Sequence, residues 1–243
     1  MNIRDIVDQS LKTRAATTLL DDMTFTVARA HEICGGARRT LALLAAMKAT
    51  GTVLWIASRR QRCRLNPEGL LDWFNPGRLI LVAANQTEDI FWTAEESLRS
   101  GIVPLTVLDL QRPAALTPVR RLHLAAEAGL ERGQALPLCL LLAPGRGGAM
   151  GVESRWLCEC WHSRTADRWH VERQRARGQP PANWTVTRKG GKWRACPQEY
   201  EMQTTDDGQA ALHAAGARAV GNPGFAAAPE CQGQMASGRQ ASF

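Results

Sequence analysis

No stretch of this chain is apolar for long. The longest run, Leu136 to Ala143, is already interrupted by Pro137 and falls far short of a bilayer span, so no membrane helix and no membrane partner are expected. The start, Met1-Asn2-Ile3-Arg4-Asp5, lacks an apolar signal core, which makes a cytoplasmic location the expectation. Seven cysteines form no framework spacing and read most simply as reduced thiols. There is no internal repeat. What is present is 243 residues with 44% hydrophobic side chains, enough for one domain with a substantial core and too many for a wholly disordered chain. The 30 Lys+Arg against 23 Asp+Glu give a formal charge of +7, which permits contact with nucleic acid or an acidic partner without requiring either.

Residues 1–27 read as a polar, weakly patterned N-terminal segment. From Ala28 onward, short apolar runs alternate with amphipathic stretches. Strands are expected at Ala28–Cys34, Val53–Ala57, Leu79–Ala83, Leu105–Leu110 and Leu138–Leu142, and helices at Ala37–Thr50, Thr87–Ser100 and Thr117–Ala128. The runs at Val53 and Leu79 are apolar throughout, as in parallel strands covered on both faces. The fold class is therefore α/β, a mostly parallel sheet flanked by helices. Thr87 and Thr117 are the expected helix caps, and Gly101 and Gly129 the expected stops. Beyond the loop at Pro144–Gly148, short and partly exposed strands are expected at Trp156–Cys160, Arg168–Arg175 and Trp184–Arg188. The main domain is thus 28–200. Residues 201–243, rich in Ala, Gly and Gln, read as a disordered tail with a weak helix at Gln209–Val220.

Glu32-Ile33-Cys34 leads into Gly35-Gly36-Ala37-Arg38-Arg39-Thr40 and then a helix. Strand, glycine turn, helix is the geometry that aims backbone N–H groups at a phosphate. A working phosphate loop needs G-x-x-x-x-G-K-[ST]. Counted from Gly35, the Lys and hydroxyl positions hold Leu41 and Ala42; counted back from Thr40, Arg39 stands for Lys while Arg38 and Ile33 replace the glycines. The turn is about two residues too short, and the planar fork of Arg does not substitute for Lys. Asp109 ends a strand where a Mg²⁺-coordinating Asp could sit, or it caps the following loop. The stretch Ile56–Leu65 offers four arginines and no acid to activate water. No cofactor and no catalytic residue follow from this pattern.

The ordered series His31-Glu32-Ile33-Cys34-Gly35, Gly51–Ile56, Asn75–Val82, Glu88–Gly101, Arg120–Glu127, Glu153–Trp156 and Arg168–Gly178 resembles the ImuA family, similar to a degenerate RecA core, over roughly 25–190. The resemblance implies a RecA-like fold and a non-enzymatic accessory role in SOS-induced translesion synthesis. The implied partners are an ImuB-like inactive Y-family polymerase homologue, an error-prone replicative-type polymerase, and RecA.

Two further constellations carry alternatives. Cys158-Glu159-Cys160-Trp161-His162, with His170 and Cys196, has soft ligands for zinc, but its C-x-C spacing departs from the usual pair and fits small packing residues on a strand; no metal is expected. In 151–200, arginines and lysines interleave with five tryptophans, which suits either a solvated outer face over packed rings or a single-stranded nucleic-acid-binding module using Arg173, Arg175 and Arg177. His123, beside Arg120 and Arg121, reads as a helix-surface or core-edge residue.

Overall fold

A computed structural model describes residues 15–61, 65–133, 135–164 and 166–198, with two further strands at 200–204 and 210–214. A first hairpin, β1 (Ala16–Leu20) and β2 (Met23–Thr26), precedes β3 (Ala30–Cys34). Then come α1 (Arg38–Lys48), β4 (Val53–Ser58), β5 (Leu79–Ala84), α2 (Thr87–Ser100), β6 (Leu105–Asp109), α3 (Leu116–Arg132) and β7 (Leu138–Leu142). Four long strands follow: β8 (Ser154–Cys160), β9 (Asp167–Ala176), β10 (Ala182–Lys189) and β11 (Lys192–Gln198).

One nine-stranded sheet runs β11-β10-β9-β8-β3-β7-β6-β4-β5. From β8 to β5 every neighbouring pair is parallel, and from β8 to β11 every pair is antiparallel. The fold is therefore the expected α/β sheet flanked by helices. The late strands are longer than expected from sequence and extend the same sheet rather than standing beside it. They join it because Glu32, Ile33 and Cys34 of β3 pair in register with Arg155, Trp156 and Leu157 of β8.

The interior strands β4 and β7 are almost wholly apolar because both faces are covered. Val53, Trp55, Leu105, Val107, Leu138 and Leu140 face α1 and the first hairpin; Leu54, Ile56, Leu108, Cys139 and Leu141 face α2 and α3. Leu79–Ala83, expected as another buried strand, is an edge strand instead. No strand lies outside β5 among the described residues, so Ile80 and Leu81 are about half exposed. The segment before Ala28 is also less peripheral than its composition suggests. Leu19, Met23, Phe25 and Val27 are fully buried. The hairpin turn is tied to the late strands, with Asp22 accepting from Trp184 Nε1 (2.7 Å) and Asp21 from the Ala195 amide (2.8 Å).

The helix boundaries shift for identifiable reasons. Gln86, not Thr87, caps α2, and Asp89 accepts from its amide. Gly101 stops α2 in the left-handed region at φ 65°. Gly129, the expected stop of α3, lies inside a helix that runs to Arg132. Its role is close approach: a Cβ there would sit 1.9 Å from the Leu98 carbonyl oxygen. Of the expected helix at Gln209–Val220, Ala210–Ala214 is a strand (β13) paired antiparallel with β12 (Tyr200–Thr204). An isolated helix of that length is marginal in water, and strand pairing satisfies the backbone locally. The remainder of 201–243 lies outside the described residues.

Candidate functional site

The carboxyl ends of β3, β6, β7 and β8 meet around the glycine turn. In open α/β sheets ligands bind at such strand ends, where the strand order switches direction. β3 and its neighbour β7 fulfil that condition, since the chain leaves β3 toward β4 on one side and leaves β7 toward β8 on the other.

Gly35 adopts φ +93°, and a Cβ there would lie 2.3 Å from the Cys158 carbonyl oxygen. Both the conformation and the space require glycine. The turn is pinned from two sides, by Gly35 N–H donating to Gly145 O (2.8 Å) and Ala37 N–H to Cys158 O (2.9 Å). Arg38 folds back onto the same turn, Nη1 donating to Gly35 O at 3.2 Å. Thr40, the expected hydroxyl position, lies in the first turn of α1.

The amino end of α1 is electrostatically awkward. It has no acidic residue in its first turn and no side-chain cap, and it begins with two arginines. The helix dipole prefers negative charge there. Glu159, from β8, supplies it: its Oε2 accepts from Gly36 N–H at 3.2 Å, and its Oε1 would lie 2.8 Å from a Cβ on Gly35. The chain's own carboxylate therefore satisfies the Gly36 amide ahead of α1, the kind of N–H group that a phosphate oxygen accepts from at a helix start.

The other two elements of a nucleotide site are bound to each other. Arg39 Nε donates to Asp109 Oδ2 at 2.7 Å, with the Asp109 side chain 2% exposed. The second Asp109 oxygen is buried with no partner among the described residues. Asp109 thus serves as the counter-ion of Arg39, with one of its two oxygens committed to that bond.

A second carboxylate anchors the far wall. Glu32 is fully buried and accepts from the Gly148 and Ala149 amides at 2.9–3.1 Å. It also pairs with Arg155, whose Nη2 donates to Ala149 O at 2.7 Å. This ties the Pro144–Ala149 loop to β3. Neither Glu32 nor Glu159 was among the expected site residues, although an acid inside the expected strand Ala28–Cys34 is itself a signal, since buried charges are paired.

Thiol chemistry is remote. Burial pushes the Cys34 thiol up to about 12 and raises Cys139 and Cys158 as well, so all three stay protonated at neutral pH. The zinc constellation does not assemble. Cys158 packs in the core, Cys160 is exposed, and no group of three or more metal-ligating side chains comes together among the described residues. His123 is a core-edge lock: Ala30 N–H donates to its Nδ1 and its Nε2 donates to Gly151 O.

The arginine trio on the late strands separates. Arg175 and Arg177 are exposed, but Arg173 is only 8% exposed and does not offer a nucleic-acid contact. It shares the β9 face of Trp169 and Val171, which turns to the core. There its guanidinium lies over the rings of Trp156 and Trp184 and donates to Pro180 O and Gln179 Oε1. Of the five interleaved tryptophans, Trp156, Trp169 and Trp184 are buried packing residues, Trp193 is half-buried, and Trp161 is 48% exposed. Compared with known proteins, the chain matches no family and no curated protein.

Proposed function

We infer that the protein is a non-enzymatic accessory factor of the ImuA type. It acts in the cytoplasm in damage-induced translesion DNA synthesis, through a nucleotide-domain body that has lost nucleotide chemistry. The observation that carries this reading is the closed phosphate position, where Glu159 covers the glycine turn and Arg39 holds Asp109. A body so arranged offers shape and surface without turnover. The ordered sequence resemblance supplies the partners: an ImuB-like inactive Y-family polymerase homologue, an error-prone replicative-type polymerase, and RecA.

The test is affinity capture of the tagged full-length chain from DNA-damaged cells, with nuclease treatment and mass spectrometry. Recovery of a polymerase-like protein or RecA after nuclease supports the role. Absence of both overturns the partner assignment. Mg-ATP hydrolysis by the purified protein that disappears in Asp109→Asn overturns the non-enzymatic reading.

A further inference from the structure

A groove of about 840 Å³ opens at the carboxyl ends of β4, β5 and β6, between the first turns of α2 and α3. Arg60, Arg112 and Arg121 stand around it, with the side-chain amides of Asn85 and Gln111 between them, and Trp92 forms part of the wall.

Trp92 is the informative residue. The fold hides Trp156, Trp169 and Trp184, yet leaves Trp92 62% exposed, and no ring packs on it among the described residues. It sits on α2 off the face formed by Ile90, Ala94 and Leu98, which are buried. Arg121 is held at the groove by Glu95, a carboxylate only 3% exposed, at 2.7 Å. That buried acid is matched by Arg121, which leaves Glu88 as the one other acid in the lining against Arg60 and Arg112.

We propose that this groove binds single-stranded nucleic acid, with a base stacked on Trp92 and the flanking phosphates met by Arg60 and Arg112. An uncovered indole beside clustered guanidinium groups is the combination that unpaired strands use, because every base has a face to stack and every linkage a charge to neutralise. The amides of Asn85 and Gln111 can bond base edges that a duplex would hide. The site is distinct from Arg175 and Arg177, and it does not depend on nucleotide hydrolysis.

The test is fluorescence anisotropy with the purified full-length chain and a labelled oligothymidylate, at low and at physiological salt. Binding that weakens with salt is expected. Trp92→Ala should lower affinity by about tenfold or more, while Trp92→Phe retains most of it. Arg60→Ala with Arg112→Ala should reduce the log–log salt slope by about 1.4, and Arg175→Ala with Arg177→Ala should change nothing. No binding, or binding indifferent to Trp92 and the Arg60/Arg112 pair, overturns the proposal. Displacement of the oligonucleotide by polyglutamate as effectively as by unlabelled strand also overturns it, in favour of an acidic protein partner. The assay contains no partner protein, so its failure leaves the accessory role standing.

Discussion

Arg39 and Asp109, seventy positions apart, form a 2.7 Å ion pair between the first turn of α1 and the end of β6. Arg39→Ala strands a carboxylate that is 2% exposed. Stability should fall by roughly 2–4 kcal/mol, toward the lower end for a buried pair because Arg39 keeps some water. Replacing both residues with leucine should cost less than the sum of the single changes. Urea denaturation of the singles and the double measures this coupling, and additive losses would show that the pair contributes nothing beyond its parts.

Glu159→Gln removes the negative charge over an arginine-headed helix while keeping the side chain's size. We expect a loss of about 0.5–1 kcal/mol that shrinks as salt is added, since the helix-terminus field is screened. A loss that does not change with salt would mean that the hydrogen bond to Gly36, and not the charge, is what matters.

His31 is buried, its Nδ1 against Ser154 Oγ (2.6 Å) and its Nε2 against Thr26 O (2.8 Å). The Thr26 carbonyl can only accept, so Nε2 carries the proton, and in the neutral ring Nδ1 accepts from the Ser154 hydroxyl, whose oxygen also accepts from Trp156 Nε1. Burial holds its pKa down at about 4, against the usual 6.5. A base with a depressed folded pKa takes up protons preferentially when unfolded. Its stabilisation is therefore complete above about 6.5 and drains as pH falls toward about 4. The loss should reach about 2 kcal/mol by pH 5 from this group alone, and His123, shifted the same way by burial, adds to it. Denaturation midpoints between pH 7.5 and 4 should follow this curve, and His31→Gln should flatten it.

Arg173 and Arg175 alternate on one strand and look equivalent in sequence, but their effects should differ. Arg173→Ala removes two hydrogen bonds and the stacking over Trp156 and Trp184, a loss of about 1–3 kcal/mol. Arg175→Ala should stay within about 0.5 kcal/mol. Thermal unfolding of both variants distinguishes them, and equal stabilities would contradict the core placement of Arg173.

That contrast marks the limit of what the residues disclose. The parallel strands were legible because long-range packing reinforces a local pattern: Val53–Ser58 and Leu138–Leu142 are apolar on both faces and covered on both. The failure of the phosphate loop was legible by counting. What replaced it was not, because Glu159 reaches Gly36 from 123 positions away and Asp109 reaches Arg39 from seventy. Strand position in the sheet was equally invisible. Leu79–Ala84 has the composition of an interior strand and occupies an edge, and Arg173 has the composition of a surface strand and faces inward.

The place of β3 in the sheet sets a condition on synthesis. Its neighbours on either side are β7 and β8, with Ala30 paired to Cys139 and Glu32 to Arg155. A ribosome must therefore translate past Leu157 before β3 has both partners, and past Ala195 before the first hairpin receives its last tie. Until then a strand buried at every residue in the finished fold and an apolar hairpin wait without cover, the circumstance in which nascent chains need holding by chaperones. A stop codon or frameshift anywhere before Ser154 leaves β3 open on its β8 side, so shortened products should be cleared or aggregate rather than persist as a smaller folded domain.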